Sequence, residues 1–462
     1  MFSAKTYQER RRKLKEQVGS GVILLLGNDL SPMNYADNTY DFRQDSSFLY
    51  FFGLDFEGLN AIIDADSGAE IIFGDELTID HIVWMGTQPT IAEKAQKVAV
   101  DTTASTSKLA EVLRDEKTKG RRIHFLPPYR PANMIKLHQW LDIPISQLSS
   151  QASLELVKAV IAQREIKSEE ELAQIDIACT ISTEMHIAAM KTVKAGLTEA
   201  QIAANARAVA LSHNSDVAFP VIATINGQTL HNHYHGNIIK SGKMFLLDTG
   251  AESPMHYAGD LSSTMPVDKK FSERQKEIYN ISLAAHEAAI AELRPGNEFR
   301  NAHLAAARTI ANGMKELGMM KGDINEAITA GAHAMFFQCG TGHMMGLDVH
   351  DMEDLGEVWV GYDGEPKSTQ FGLKSLRLAK KLQPGYVLTV EPGIYFIPEL
   401  IDMWNAENKF SEFLNYDKIN EYRDFGGIRN EEDFVITEDG FRLLGNKKKP
   451  KTVEEVEELS ID

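Results

Sequence analysis

The sequence has few of the features that mark secreted or membrane-bound proteins. It contains only two cysteines in 462 residues, Cys179 and Cys339, which argues against a disulfide framework and fits a reducing compartment. No segment approaches the roughly 18 consecutive apolar residues of a membrane span. The opening residues, MFSAKTYQERRRKLKEQ, lack the apolar centre of a signal peptide. We therefore expect a cytoplasmic protein that does not bind a membrane.

Basic residues are also scarce. The chain carries 48 Lys and Arg against 66 Asp and Glu, a formal net charge of -18 at pH 7. Nucleic acid is an improbable partner for such a chain, because contacts to phosphate need Lys and Arg. The hydrophobic content of 43% and the charged content of 25% are ordinary for a globular protein. The length suggests two or three domains.

The sequence pattern of residues 1-165 predicts a small α/β domain that begins with a charged helix at 6-17. Strand-like composition occurs in GVILLLG (21-27), SFLYFFGL (47-54), NAIIDAD (60-66), AEIIFGD (69-75) and RRIHFLP (121-127). This region contains no glycine-rich phosphate loop of the nucleotide-binding type. We therefore expect it to have a structural or assembly role.

Residues 166-462 predict an α+β domain. A helix is predicted at 151-167, crossing to this domain, and apolar residues recur at helical spacing in 167-193. Further helices are predicted in the segment after Gly196, at 272-293 and at 299-316. The combination of two helices and a cluster of short antiparallel strands occurs twice, which suggests that the domain has two similar halves. The charged tail GNKKKPKTVEEVEELSID is predicted to be solvated and without function.

Five residues in this second domain form a candidate metal site. Each lies near the end of an apolar strand or in the glycine-rich turn after one, where an isolated charge is costly to bury. They are Asp248, Asp260, His343, Glu391 and Glu431. The one nearby arginine, Arg429, cannot neutralise four carboxylates, whereas two divalent cations can. An oxygen-rich set without cysteine favours Mn, Co or Zn in a paired site.

The segments around these residues resemble a known family. DTGAE, HYAGDLSSTMPV, GTGHMMGLDVHD, LTVEPGIYF and GGIRNEED are similar, in this order, to segments of the aminopeptidase P and prolidase family. YDFRQDSSFLYFFGL (40-54) is similar to the family's N-terminal domain. The resemblance implies a C-terminal pita-bread fold, an α+β architecture, behind a smaller N-terminal α/β domain.

The resemblance also implies roles for the five residues. Asp248 would hold one metal through both oxygens, Asp260 and Glu431 would bridge two metals, and His343 and Glu391 would complete the second. Two divalent ions per chain are expected, Mn²⁺ first and Co²⁺ or Zn²⁺ as alternatives. The substrates would be short proline-containing peptides, cleaved on the N-terminal side of proline. A homodimer or homotetramer is also expected.

Histidines around the site would handle protons. His350 matches a family histidine near the substrate carbonyl or the leaving group; alternatively it is an ordinary hydrogen-bonded histidine. The segment TLHNHYHGN contains His231, His233 and His235. The distance to Asp248 favours His231 as the catalytic one and the adjacent tyrosine favours His233. The sequence leaves this choice open.

Four further residues fall on family positions. Arg429 and Tyr395 would lie near the metals. Arg377 would meet the carboxylate of a dipeptide, or else be a solvated loop residue. Cys339 stands where the family usually has a histidine, four residues before His343. We expect this thiol to line the substrate pocket as a packing group, with a cysteine nucleophile as the less favoured alternative.

The resemblance, together with the complete ligand set, implies an Xaa-Pro aminopeptidase. The first alternative is an Xaa-Pro dipeptidase, or prolidase, that acts on dipeptides only. The second is a non-catalytic binding protein of the same fold, which the complete ligand set disfavours. A metal-free enzyme of the creatinase type would not need four buried carboxylates.

Overall fold

The structure is a computed structural model that describes residues 1–459, and it divides into two compact units. The first comprises Met1–Arg164 together with Glu353–Gly356. The second comprises Glu165–Met352 and the chain from Glu357 onward. Within residues 1–459, no helix has the length and apolar content needed to cross a membrane.

The first unit contains a five-stranded mixed sheet and several helices. Its helices are Ala4–Val18 (α1), Ser46–Phe52 (α2), Ile79–Met85 (α3), Ile91–Gln96 (α4), Leu109–Thr118 (α5), Pro131–Leu141 (α6), Leu148–Gln151 (α7) and Leu154–Arg164 (α8). Its strands are Val22–Leu26 (β1), Pro32–Tyr35 (β2), Asn38–Thr39 (β3), Asn60–Asp64 (β4), Glu70–Phe73 (β5), Thr102–Ala104 (β6) and Ile123–His124 (β7). The sheet order is β6-β5-β4-β1-β7, with β1 antiparallel to β4 and parallel to β7.

The core of this unit lies between the sheet and the helices α5 and α6. Val22, Leu24, Ile62 and Phe73 of the sheet are buried in one cluster with Leu109 and other residues of these helices. The predicted helix at 6-17 and the strands at 21-27, 60-66, 69-75 and 121-127 are therefore confirmed, β7 being shorter than expected.

The strand predicted at 47-54 is wrong, because these residues form the helix α2. The Asp45 side chain caps this helix by accepting a hydrogen bond from the Phe48 N–H at 2.9 Å. Gly53 ends it in the left-handed conformation, with φ of 64°. All seven residues of α2 are buried, and a helix that is apolar on every side has no helical periodicity.

The second unit contains the remaining elements. Its helices are Glu169–Thr192 (α9), Glu199–Ser212 (α10), Glu273–Ile290 (α11), Phe299–Glu316 (α12), Ile324–Ala330 (α13), Glu357–Tyr362 (α14), Pro398–Ala406 (α15), Tyr416–Asn420 (α16) and Val453–Glu458 (α17). Its strands are Asp216–Val217 (β8), Ile222–Thr224 (β9), Met244–Thr249 (β10), Ala251–Glu252 (β11), Leu261–Pro266 (β12), Val387–Val390 (β13), Gly393–Tyr395 (β14), Gly427–Arg429 (β15), Glu432–Ile436 (β16) and Phe441–Leu443 (β17).

Two antiparallel sheets, each with a helix pair, position the functional residues. The sheet β12-β10-β9 packs against α9, which pairs with α10. The sheet β13-β16-β17 packs against α11, which pairs with α12. A capping box between Ser168 and Glu171 starts α9, and three acidic residues stabilise its first turn. The predicted arrangement of two helices per antiparallel cluster is confirmed.

The expectation of a solvated tail is wrong for part of it. Lys449 is buried, and its ammonium donates to the backbone oxygen of Ser262 at 2.7 Å. Lys451 pairs with Glu432 at 2.8 Å, and α17 packs against α11. The tail contributes apolar surface through Val453 and Val456, which a count of its charges does not reveal.

Candidate metal centre

Asp248 and Asp260 come from two paired strands of one sheet. Every residue of β10 and β12 is buried. Asp248 lies opposite Ser262 in the antiparallel register, and Asp260 immediately precedes β12. The backbone N–H of Asp260 donates to the carboxylate of Asp433 at 2.9 Å. Two carboxylates are thereby brought to the same end of the β10–β12 pair.

His343 and Glu391 are joined by backbone hydrogen bonds between a loop and the end of β13. The Thr389 N–H donates to the His343 oxygen at 3.0 Å, and the Glu391 N–H donates to the Thr341 oxygen at 2.7 Å. The Nδ1 of His343 lies 3.0 Å from the Met344 oxygen. With the proton on Nδ1 donated to this carbonyl, Nε2 has a lone pair free to bind a cation. That Nε2 lies 3.4 Å from Asp260 Oδ2 and 3.8 Å from Glu391 Oε1.

Glu431 occupies the break between β15 and β16. Its N–H donates to the Ser262 backbone oxygen at 3.2 Å, and its carboxylate accepts from the Ser262 hydroxyl at 2.7 Å. Asp260, His343 and Glu431 each present a ligand atom, and these atoms all lie within 4.8 Å of one another. Three of the five predicted ligands therefore converge on a single point.

The carboxylates of this cluster can all be ionised together only when cations compensate their charge. Burial, followed by repulsion from neighbouring carboxylates, raises the pKa of both Asp260 and Glu431 well above the ordinary values. Burial also raises the pKa of Glu391, which is only partly buried. Asp260 Oδ1 and Glu431 Oε1 are buried and accept no hydrogen bond from protein groups. Carboxylate oxygens that lack hydrogen-bond partners and lie this close together fit one or two divalent ions.

Asp248 faces the remaining predicted ligands but is also bound by Arg429. The Arg429 guanidinium donates to Asp248 Oδ2, to the Ser262 hydroxyl at 2.8 Å and to the Tyr395 phenol oxygen at 2.9 Å. Burial alone would lower the pKa of Arg429, but Tyr395, Asp248 and neighbouring glutamates raise it well above the ordinary value. Arg429 is therefore a permanent cation that orients Asp248.

The ligands lie in the wall of a cavity of about 630 Å³. His231, His233 and His350 line this cavity, whereas His235 is not among its lining residues and bonds the Val221 oxygen at 2.9 Å. Partial desolvation and the charge of Arg429 lower the pKa of His231. The His350 ring lies 4.2 Å from the His343 ring, centroid to centroid. His231, His233 and His350 are thus assembled at the site, and His235 is held outside it.

Cys339 and Arg377 also line the cavity, and Tyr395 lies behind it. Burial, together with the Glu391 charge, raises the pKa of Cys339 to about 12. A protonated thiol is a poor nucleophile, which supports the packing role over the nucleophilic alternative. Arg377 lies 3.5 Å from the carboxylate of Glu357, which also pairs with Lys367.

Sequence reasoning missed several residues of the site. Lys367 and Lys374 line the cavity beside Arg377. Their closeness in sequence to Arg377 was the only available signal, because no motif marks them. Ser262 and Asp433 contact the ligands from behind. Their signal in the sequence was position, because Ser262 follows Asp260 by two residues and Asp433 follows Glu431 by two residues.

Comparison with known proteins decides the family. The profile of metallopeptidase family M24 matches residues 173–438, and that of the aminopeptidase P N-terminal domain matches residues 7–124. The chain belongs to metallopeptidase family M24. The Xaa-Pro dipeptidase of Homo sapiens is 30% identical, covering 97% of this chain and 90% of that protein. A probable Xaa-Pro aminopeptidase of Uncinocarpus reesii is 29% identical over 97% of this chain and 91% of its own length.

Solved structures in the family give the same answer for the fold. The aminopeptidase PepP of Pseudomonas aeruginosa superposes with a TM-score of 0.82 at 26% identity, covering 99% of this chain and 98% of that one. The zinc-substituted aminopeptidase P of Escherichia coli, in complex with product, has a TM-score of 0.81 at 27% identity and the same coverage. The expected pita-bread fold and the aminopeptidase P/prolidase family are therefore confirmed, and divalent metal binding is a property of this M24 member.

Proposed function

We propose that the chain is an Xaa-Pro aminopeptidase, which removes the first residue of short peptides whose second residue is proline. Membership of the aminopeptidase P/prolidase group makes it a proline-specific metallo-exopeptidase. The observation that carries the finer proposal is the cavity of about 630 Å³ around the M24 ligands. Its volume lies in the range of roughly 300–1,000 Å³ of small-ligand pockets and leaves room for residues beyond proline.

Two divalent ions per chain form part of this proposal. Asp248, Asp260, His343, Glu391 and Glu431 would hold them. Mn²⁺ suits the carboxylate-rich set best, with Co²⁺ or Zn²⁺ as alternatives. Bound there, such ions lower the pKa of a water molecule and polarise the scissile carbonyl.

The chain's own residues would orient the substrate and move the proton. The bond before proline is a tertiary amide without an N–H, so recognition cannot depend on that donor. The prolyl nitrogen leaves well only when protonated, which requires a nearby proton donor. His231 and His350 are the candidates, because both face the cavity beside the ligands. Arg429 keeps the Asp248 carboxylate in place, Tyr395 accepts a hydrogen bond from Arg429 behind the cavity, and His233 lines the cavity.

An Xaa-Pro dipeptidase is the second candidate, and a specific observation favours it. Lys367, Lys374 and Arg377 all line the cavity, and Glu357 is the acid that pairs with two of them. Lys367 and Arg377 outnumber the one acid they share, and this local excess of positive charge suits the free carboxylate of a dipeptide's proline. A longer peptide would place an uncharged peptide group there.

Turnover of three substrates distinguishes the two candidates. An aminopeptidase should hydrolyse Ala-Pro-Pro and the amide Ala-Pro-NH₂, whereas a dipeptidase should hydrolyse only Ala-Pro. If Arg377 binds the carboxylate, Arg377→Ala should raise KM for Ala-Pro about tenfold or more and leave the amide unaffected. Arg423→Ala, which removes an exposed arginine paired with Asp402, is the control. Hydrolysis of Ala-Pro alone would reject the aminopeptidase proposal.

Metal analysis tests the site against a non-catalytic binding role. After removal of metals and incubation with Mn²⁺, the purified protein should retain between one and two ions per chain. Less than one bound ion, together with no peptidase activity, would favour the binding protein.

The proposal also includes a homodimer or homotetramer in the cytoplasm. Helix α3 buries none of its side chains, and Val83 and Trp84 are 72% and 86% exposed. An apolar helix face of this kind suits a second copy of the chain. Both cysteines are free, which suits a reducing compartment. The net charge of -18 disfavours nucleic acid and anionic membranes as partners.

A further inference from the structure

The C-terminal segment beyond the M24 match places one lysine behind the metal centre. Lys449 is 2% exposed, and its ammonium donates to the Ser262 backbone oxygen at 2.7 Å and to the Ser263 hydroxyl at 3.3 Å. The adjacent Lys448 has a different environment, since it is exposed and pairs with Glu455. The family profile ends at residue 438, so it assigns no role to either lysine.

Burial of this ammonium is costly and is offset by the acidic centre in front of it. Burial lowers the pKa of Lys449 to about 8, while Glu432, Glu431 and Asp433 oppose this shift. A second lysine, Lys451, also lies close and pairs with Glu432. For packing alone, an apolar side chain of the same size would be as good as a buried cation or better.

Ser262 connects Lys449 to the ligands. Its backbone oxygen accepts from both Lys449 Nζ and the Glu431 N–H. Its hydroxyl donates to the Glu431 carboxylate at 2.7 Å and accepts from Arg429 Nε at 2.8 Å. It also lies opposite Asp248 in the pairing of β10 with β12. A single residue thus contacts one ligand through backbone and side chain, and lies next to another.

We propose that Lys449 is a positioning residue of the metal centre: by binding the Ser262 backbone oxygen, it fixes the serine that orients the Glu431 carboxylate. The proposal rests on the proposed function of Glu431 as a metal ligand. Lys449 touches neither substrate nor the reacting atoms. It acts through Ser262 on the geometry of the site and on its affinity for metal, as residues that hydrogen-bond to metal ligands generally do.

Metal binding by the full-length variant Lys449→Met tests this inference. The expected result is an affinity for Mn²⁺ about tenfold or more below that of the unmodified chain, measured by calorimetry on metal-free protein. The visible spectrum of the Co²⁺ form should also change, because it reports coordination geometry. Lys448→Met makes the same chemical change on the same segment at an exposed position and should alter neither quantity.

Three outcomes separate the possibilities. Unchanged Mn²⁺ affinity and an unchanged Co²⁺ spectrum in Lys449→Met would overturn the inference, even if the melting temperature falls, because the lysine would then be only structural. If that variant does not fold, Lys449→Gln keeps a donor at the position and is judged by the same two measurements. Failure of the unmodified chain to bind Mn²⁺ would instead reject the proposed metal site itself.

Discussion

The thiol of Cys339 lies 3.8 Å from the phenol oxygen of Tyr395, to which it donates a weak hydrogen bond. The same oxygen accepts a shorter bond from Arg429, the residue that holds Asp248. The position where the family resemblance led us to expect a histidine is therefore linked, through Tyr395 and Arg429, to a candidate metal ligand. A thiol at this place packs and donates weakly, and it contributes no charge.

Cys339→Ala should leave kcat within about threefold of the unmodified value, because a thiol whose pKa is raised to about 12 is not the nucleophile. Steady-state hydrolysis of Ala-Pro and Ala-Pro-Pro measures this. Cys179→Ala is the matched control, since Cys179 is buried and donates to Asp433 rather than facing the cavity. A loss of more than about a thousandfold in kcat for Cys339→Ala alone would reinstate the nucleophilic role.

Asp260→Asn should stabilise the metal-free protein while abolishing hydrolysis. The substitution keeps the shape of the side chain but removes an ionisable group whose charged form is disfavoured by burial and by repulsion from Asp248 and Asp433. We expect a gain of about 1–2 kcal/mol in the free energy of unfolding without metal, as at other functional sites. Denaturant titration in the presence of a chelator measures it. Asp268→Asn, at an exposed position after β12, should change neither stability nor activity; a metal-free Asp260→Asn less stable than the parent would contradict the prediction.

The buried carboxyl groups of the metal centre should each make a contribution to the stability of the metal-free protein that falls as pH rises from about 4 to 7. Burial raises the pKa of Asp433 to about 7 and that of Glu431 well above its ordinary value, so the folded state holds protons that the unfolded chain has released. Each such group contributes a slope of up to about 1.4 kcal/mol per pH unit. The stabilisation is complete below the unfolded pKa and is lost as pH passes through the folded pKa.

Thermal unfolding at several pH values, with and without Mn²⁺, checks this dependence. Saturating Mn²⁺ should remove or reverse it, because ligands bind the ion in their deprotonated form. Asp433→Asn should reduce the slope of the metal-free protein. Identical pH dependence of stability in metal-free Asp433→Asn and in the metal-free parent would show that the Asp433 carboxyl does not have a raised pKa.

Trp84→Asp should weaken self-association. Trp84 is 86% exposed on α3, and a buried tryptophan at an interface typically contributes about 2 kcal/mol or more, which corresponds to roughly a thirtyfold change in the dissociation constant. Sedimentation velocity over a range of concentrations measures it. Leu211→Asp changes an exposed apolar residue of α10 and should leave association unchanged. Equal association of the Trp84 variant and the parent would place the interface elsewhere.

Local sequence predicted secondary structure correctly where a single local signal, such as apolar spacing or a helix cap, determines it. The amphipathic helices follow from their apolar spacing, and α9 begins at the capping box that Ser168 and Glu171 form. It was misleading at α2, because a fully buried helix and a fully buried strand have the same apolar composition. It was also misleading in the tail, where the charge of Lys449 concealed a buried position.

The sequence by itself determined the family, through the resemblance of its motifs and their order, and the set of five ligand candidates, four carboxylates and one histidine in apolar or glycine-rich segments. Only the tertiary structure decided which atoms meet. In the structure, Asp260, His343 and Glu431 lie close together. Asp248 is bound by Arg429, and His235 lies outside the cavity. The tertiary structure also brought Lys449 to the far side of Ser262, across 187 positions of sequence. These relationships depend on strand pairing and backbone hydrogen bonds between distant segments, which residue spacing does not encode.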